Sequence, residues 1–388
     1  MTPPRRGSPD FLLLFLTFSL VCFGLAMVFS ASSMTMVYTR EDHNAWYLTV
    51  RQAYFIAIGA AGMVVCMNIH YLKLKKLVVA FFIFVIALLL LVPVIGKEVN
   101  GAKSWFYIGS FGIQPTEFAK LAVIMYLAAL ISKKEAKFRQ FQTGLLPALI
   151  ILGFVAGLIM LQPDLGSTII LLLGSFVIIV VGGSNLKHMF MLGMICSFVM
   201  CVFISIYLLT ADQISYRIDR FTSFLDPWSD PLGKGYHLIQ SLYAFGHGGL
   251  TGAGFGQSIQ KLHYLPAAHN DFIFSIIAEE FGFIGSAIFL LVYLLFIWRG
   301  LIISLRCNDS FGTLAGVGII CMLGIQALVN IGGVTGSIPL TGVTLPLISS
   351  GGSSVIATLL SLGVLLSISR EYNVPAEAKQ ANARKRKM

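Results

Sequence analysis

The sequence predicts an all-α integral membrane protein of ten transmembrane helices with both termini on the cytoplasmic side. Three observations lead there. Of the 388 residues, 57% are hydrophobic and only 11% are charged, against roughly 25% charge in a soluble domain. The mean hydropathy of +0.84 leaves too little polar surface to cover a water-soluble globule. Finally, apolar runs recur at about 20 residues, the length a helix needs to cross the hydrocarbon core. The same composition excludes a disordered chain, whose signature is low hydrophobicity. Six cysteines in this length exclude a disulfide-rich module.

In chain order the runs fall near 11–31, 52–69, 77–96, 115–132, 144–161, 165–183, 188–210, 271–298, 312–332 and 351–369. The first exceeds the apolar stretch of about 7–15 residues found in a signal peptide, and nine more follow, so it reads as an uncleaved anchor. With the N-terminus inside, 18 of the 27 Lys and Arg residues face the cytoplasm, eight face outward, and Lys120 lies within a span. That bias sets the orientation as N-in and C-in. The net charge of +10 then belongs to the inner face and to a basic tail at 371–388. Such a tail suits the headgroups of anionic membrane lipids, and no nucleic-acid partner is implied. The chain reads as a single polytopic domain. Cys22, Cys66, Cys196, Cys201 and Cys321 sit in spans and Cys307 faces the cytoplasm, so no Cys/His metal site is implied.

Most connections are short. Residues 211–270, between the seventh and eighth spans, instead form a large extracytoplasmic loop of 60 residues. Loops beyond about 15 residues are usually functional or disordered. Tyr216, Phe221, Phe224, Trp228, Tyr236, Tyr243, Phe255 and Tyr264 argue against disorder. A stretch near 235–245 has the amphipathic pattern of an interfacial helix. A structural cap and part of an active site are both open readings.

Charged groups inside spans are the sharper signal, because each costs several kcal/mol unless paired or solvated, an order of magnitude of roughly 3 kcal/mol at the bilayer centre. They are Glu117, Lys120, Glu279 and Glu280, with Asp164 and Asp271 at outer ends. Glu117 and Lys120, three apart, share a helical face; a structural ion pair and a functional one are both open. Asp164 follows Gln162-Pro163 in the turn between spans five and six. Asp271 begins the eighth span; Ser275 and Glu279 continue its face and Glu280 points away. His263 and His269 flank Asp271 and are candidate substrate contacts. Convergence of these groups from different helices predicts a polar cavity open to the outer leaflet. Gly252–Gly256 lacks the spacing and the βαβ unit of a dinucleotide site. Ser349-Ser350-Gly351-Gly352 lacks a Walker lysine and reads as a helix break lining the cavity.

At these residues the chain resembles the SEDS proteins (shape, elongation, division and sporulation; the FtsW/RodA/SpoVE group), from Ser8-Pro9-Asp10 to about Ser369. The matching segments are Gln114-Pro115-Thr116-Glu117-Phe118-Ala119-Lys120, Gln162-Pro163-Asp164-Leu165-Gly166 and Gln240-Ser241-Leu242-Tyr243-Ala244. Further on, Tyr264-Leu265-Pro266, Asp271-Phe272-Ile273-Phe274 and Glu279-Glu280-Phe281-Gly282 match as well. Asp226-Pro227-Trp228 is most similar to the division and sporulation branch. Two positions depart from the family pattern: Ala267 stands where a Glu is usual, and Ser350 where a Tyr is common.

The resemblance implies a peptidoglycan glycosyltransferase of the bacterial cytoplasmic membrane that polymerises lipid II at the outer face, with a class B penicillin-binding protein as partner. The acceptor sugar's 4-hydroxyl attacks C1 of the muramyl sugar on the growing strand, undecaprenyl pyrophosphate leaves, and the anomeric centre inverts. The family's essential aspartate falls on Asp271, and Glu117, Lys120 and Asp164 map to its cavity. The residue reading suits that chemistry. A sugar hydroxyl is a weak nucleophile that a positioned carboxylate deprotonates as it attacks, and inversion needs attack opposite the leaving group. Substrate contacts are then expected from Glu117, Lys120, Gln162, Asp164, His269, Glu279, Arg217 and Arg220. Charge on the departing pyrophosphate is balanced by Lys120, Arg217, Arg220 or a divalent cation, Mg or Mn, with no ligands assigned. Two other classes stay open. A lipid II flippase would place its site near the midplane with repeated broken helices, whereas the two halves here look unlike. A non-catalytic scaffold for a transpeptidase would carry the same charges as structure only.

Overall fold

The computed structural model describes residues 7–39, 43–99, 102–108, 111–185, 187, 188, 190, 224–233 and 235–372. Nine helices among the described residues coincide with nine of the expected spans. They are α1 (Phe11–Thr39), α2 (Tyr47–Asn68), α3 (Tyr71–Ile95), α4 (Pro115–Lys134), α5 (Leu146–Met160) and α6 (Leu165–Val181), followed, after a short α7 (Tyr236–Gly248), by α8 (Ile273–Leu305), α9 (Ser310–Val334) and α10 (Gly352–Tyr372). The span expected at 188–210, the loop residues to 223 with Arg217 and Arg220, and the tail from 373 lie outside the described residues.

Local chemistry sets the helix starts. Asp10 accepts from the Leu13 N–H at 2.9 Å, Asp164 from Ser167 at 3.0 Å and Asp309 from Gly312 at 3.1 Å. Each satisfies a donor that the first helical turn leaves without a partner. Pro115 opens α4 where its missing N–H costs nothing. Among the boundaries that differ from expectation, two bear on the site. α1 runs on to Thr39 through Ser30, Ser32 and Ser33, which hydropathy reads as an end although their backbone bonds continue. α8 begins at Ile273 and not at 271, which places Asp271 in the turn ahead of the helix.

α4, α9 and α10 form the centre of the bundle, and most of their side chains are enclosed by protein. α2 packs against α10 through small residues. A Cβ at Gly363 would lie 2.6 Å from the Met63 carbonyl oxygen, and one at Gly59 would meet Leu359 and the Ile356 Cα. Close backbone approach of this kind is how membrane helices gain dispersion contacts in a solvent as apolar as themselves. At the end holding the first and last described residues, Arg299 grips Asp10 with two bonds of 2.6 and 3.1 Å. Asp10 N–H also donates to Ser369 Oγ, and Arg370 Nε to the Gly7 carbonyl.

The opposite end carries an antiparallel sheet that the sequence reading passed over as a short loop. β1 (Lys97–Val99), β2 (Ala102–Ile108) and β3 (Phe111–Ile113) pair in that order, with Trp105 opposite Lys97 and Tyr107 opposite Gly112. β3 leads through Gln114 directly into α4.

α8 is broken at Gly282, whose φ of 67° is left-handed. There the loop after α7 supplies the missing backbone partners. Ala253 and Gly254 N–H donate to the carbonyls of Glu279 and Glu280, while Phe283 and Ile284 N–H donate to those of Gly249 and Leu250, all within 2.9–3.1 Å. A Cβ at Gly282 would fall 2.3 Å from the Gly252 nitrogen. Only glycines admit this backbone-on-backbone contact.

The α2–α10 contact is testable. Gly363→Val places atoms against the Met63 carbonyl, whereas Gly153, with nothing within 4 Å of its Cβ direction, is open. Overpacking costs about 1–3 kcal/mol, so Gly363→Val lowers the thermal unfolding midpoint in detergent while Gly153→Val leaves it unchanged.

Candidate active site

Four elements converge at the end of the bundle opposite the termini: the start of α4, the α5–α6 turn, the turn before α8, and α9 with the segment that follows it. On α4, Lys120 is buried, and its Nζ lies 2.8 Å from both Glu117 Oε1 and Gln326 Oε1. Gln326 passes the network on, its Nε2 donating to the Thr344 carbonyl at 3.1 Å, and Thr344 Oγ1 meets Ser354 Oγ at 3.0 Å. An ammonium in a membrane bundle needs such partners. With Glu117 beside it, the pair is neutral.

In the α5–α6 turn, Asp164 caps α6 with one oxygen and accepts weakly from Gln114 Nε2, at 3.4 Å, with the other. Gln162 is buried; its Nε2 reaches the Leu89 carbonyl at 3.5 Å, and its Oε1 has no protein partner. Gln114 thus links the sheet to Asp164.

Glu280 keeps one buried oxygen, Oε2, without a partner, yet Lys261 and Ser30 hold its Oε1; Asp271 has no side-chain donor at all among the described residues. Its Oδ1 is buried and without a hydrogen-bond partner, and no cation pairs with it among the described residues. Its position is held through its backbone: Asn330 Nδ2 donates to the Asp271 carbonyl at 2.7 Å and to the Val343 carbonyl at 2.6 Å. Asp271 Oδ2 lies alongside Gly342, 3.5 Å from where a Cβ would stand. Burial pushes the carboxyl up to about 7, and the neighbouring negative charge of Asp164 acts in the same direction. His269, two residues earlier, is held by a bond from Ser350 N–H to its carbonyl at 2.9 Å, and burial lowers its imidazole.

The structure therefore brings Glu117, Lys120, Gln162, Asp164, His269 and Asp271 to one end of the bundle, around α9. Gln326 and Asn330, one helical turn apart on α9, connect the Lys120 network to the Asp271 turn. The sequence reading missed both, although two amides four residues apart in an apolar helix are a signal of the same kind as a charge. Glu279 corrects an expectation. It does not continue the face of Asp271 toward substrate: it is fully enclosed, and protein donors occupy both oxygens. His247 Nδ1 and Ile259 N–H lie 2.8 Å from Oε1, Ser258 Oγ donates to Oε2, and Gln260 N–H adds longer contacts to both. Glu280 bonds Lys261 at 3.0 Å and Ser30 of α1 at 2.5 Å. The two glutamates pin the 247–261 loop, and of their four oxygens only Glu280 Oε2 is left buried without a partner among the described residues. Lys261, counted from sequence among the outer loop cations, is a buried ion-pair partner. Among the described residues no group of three His, Cys, Asp or Glu side chains gathers to hold a metal, so the expected divalent cation receives no ligands.

Removing one member of a buried charged cluster costs about 3–5 kcal/mol. Glu279→Ala is therefore expected to lower the unfolding midpoint and to open residues 248–262 to limited proteolysis, with Glu279→Gln intermediate.

Comparison with known proteins places this arrangement. Residues 11–374 match the sequence family FTSW_RODA_SPOVE, described as "Cell cycle protein". The chain is 43% identical over 371 residues to stage V sporulation protein E of Bacillus subtilis, covering 94% of this chain and 98% of that one. It is 39% identical over 362 residues to a probable peptidoglycan glycosyltransferase FtsW of Geobacter metallireducens, covering 93% and 94% respectively. Among solved structures it resembles a chain of a peptidoglycan synthase complex in which polymerization and crosslinking are coordinated, with a TM-score of 0.76, 33% identity and coverage of 95% and 99%. The rod shape determining protein RodA of Thermus thermophilus aligns with a TM-score of 0.67 at 30% identity, covering 95% and 98%. Multiple apolar helices and these relatives make it a multi-pass protein of the bacterial cytoplasmic membrane, and the chain belongs to the FtsW/RodA/SpoVE family.

Proposed function

We propose that the chain is an inverting peptidoglycan glycosyltransferase that joins lipid II units, with Asp271 as the general base. The observation that carries the reading is the buried Asp271 oxygen with no partner among the described residues, held by Asn330 beside the mutually neutralised Glu117–Lys120 pair. A structural acid would have acquired donors, as Glu279 has. The names of the relatives and the synthase complex support the same reaction class.

In the proposed step the acceptor's 4-hydroxyl oxygen forms a bond to C1 of the lipid-linked sugar, and the bond from C1 to the pyrophosphate oxygen breaks. The hydroxyl proton passes to Asp271 Oδ1 as attack proceeds. A base titrating near neutrality is well matched to this task. The leaving undecaprenyl pyrophosphate is already a good anion, so no acid is needed to protonate it. Lys120 is a weak candidate for balancing its charge, because Glu117 neutralises it; Lys120, Glu117 and Gln326 order the cavity wall. Arg217 and Arg220 are the candidates for the pyrophosphate; a divalent cation, for which the described residues offer no cluster of ligands, would supply Lewis-acid charge if bound. The proposed partner is a transpeptidase of the class B penicillin-binding type, in line with the synthase complex among the structural relatives.

Two measurements test this. Purified protein with its partner polymerises lipid II, while Asp271→Asn and Asp271→Ala fold with wild-type stability and lose strand synthesis by about 100-fold or more; full activity in either variant removes Asp271 as the base. The second reads the pH profile. The base must be ionised, so the rate rises with pH through about 7 and levels above it. Asp164→Asn removes the negative charge that raises the Asp271 carboxyl and moves that midpoint to lower pH. Asn also caps helices, so α6 is retained.

A further inference from the structure

We infer that Asn330 Oδ1 is a second substrate-binding atom, accepting a hydrogen bond from the hydroxyl vicinal to the attacking one on the acceptor sugar. The inference rests on the proposed glycosyltransfer reading and names a contact within it.

Asn330 is 3% exposed and projects from an apolar helix. Both hydrogens of its amide are committed, to the carbonyls of Asp271 and Val343. This fixes which way the amide points, since a flipped amide would set its oxygen against two carbonyl oxygens. The oxygen is then left buried with no protein partner. Oδ1 of Asp271 is in the same condition, and so is Oδ1 of Asn270 in the preceding residue. A buried acceptor without a donor costs about 1–3 kcal/mol, and three at one turn call for something that brings donors.

The occupant must therefore carry several hydrogens to give and few acceptors that need satisfying on this side. An anion does not suit these atoms, since all three unpartnered groups at the turn are oxygen acceptors. A sugar ring edge fits, presenting hydroxyls on neighbouring carbons to neighbouring acceptors. Asn330 bonds the backbone carbonyls of Asp271 and Val343, and Asp271 Oδ2 lies against Gly342, the residue before Val343, so the Asn330 oxygen and the Asp271 carboxyl are inferred to border one small volume. If the attacking hydroxyl gives its proton to Asp271, the hydroxyl on the next ring carbon is the group placed to donate to Asn330. The attacking oxygen is the 4-hydroxyl, which makes the 3-hydroxyl of the acceptor N-acetylglucosamine the partner.

The test uses full-length protein with its partner transpeptidase, lipid II, and synthetic lipid II lacking the 3-hydroxyl of its N-acetylglucosamine. The 6-deoxy analogue serves as control. Wild type is expected to lose about tenfold or more in kcat/KM on the 3-deoxy lipid, the size of one hydrogen bond to a buried acceptor, and little on the 6-deoxy lipid. Asn330→Leu is expected to raise KM for lipid II by about tenfold and to use the two lipids equally. A wild-type enzyme that makes strands from lipid II and 3-deoxy lipid II at equal rates overturns the inference without any variant. So does an Asn330→Leu enzyme that still rejects the 3-deoxy lipid as strongly as wild type. Failure of wild type to make strands from any lipid overturns the glycosyltransfer reading itself, a separate result.

Discussion

Backbone polar groups in a hydrocarbon medium need partners within the protein, and at Gly282 this requirement shapes the functional end of the molecule. A helix broken inside a membrane bundle leaves carbonyls and N–H groups that lipid does not satisfy. Residues 249–254 lie against the break and exchange four backbone hydrogen bonds with it. The side chains on either side reinforce the join, since Glu279 gathers donors from His247, Ser258, Ile259 and Gln260, and Glu280 takes Lys261 and Ser30. The result is a short outer helical piece, Ile273–Phe281, carrying Asp271 just ahead of its first turn. A loop long enough to wander is thereby fixed on both flanks of the catalytic candidate.

Much of this was legible in the sequence. Nine spans follow from apolar run length alone, because the bilayer sets one length scale and the chain has few charges to blur it. Asp271 was legible for a similar reason: an acid at an outer span end with no cation near in sequence. Its lack of a partner in space is what the structure adds. The Glu117–Lys120 pair was visible from its spacing, and the bond of 2.8 Å bears that out. Its neutrality in a wider network was not, since Gln326 lies 206 positions away along the chain.

What the sequence concealed has identifiable causes. The sheet at 97–113 lies in a connection that hydropathy treats as blank, yet Asn100-Gly101 between apolar flanks is a strong hairpin signal. Glu279 was misassigned because helical periodicity was counted from Asp271, which lies in the turn ahead of a helix that starts only at Ile273. Arg299 counts as an inner-face cation in the charge bias, but its bidentate pairing with Asp10 joins α8 to the start of α1. Periodicity reports which face a residue shares, and it is silent about which distant segment comes to meet that face.

The neutrality of the Glu117–Lys120 pair has a consequence for turnover. With that ammonium already balanced, the acids nearest to it without a cationic partner among the described residues are Asp164 and Asp271. In the proposed reaction Lys120 therefore adds no net attraction for an anionic product. Loss of the transferred proton from Asp271 would restore a second negative charge beside Asp164, and the two together would repel that product from the turn.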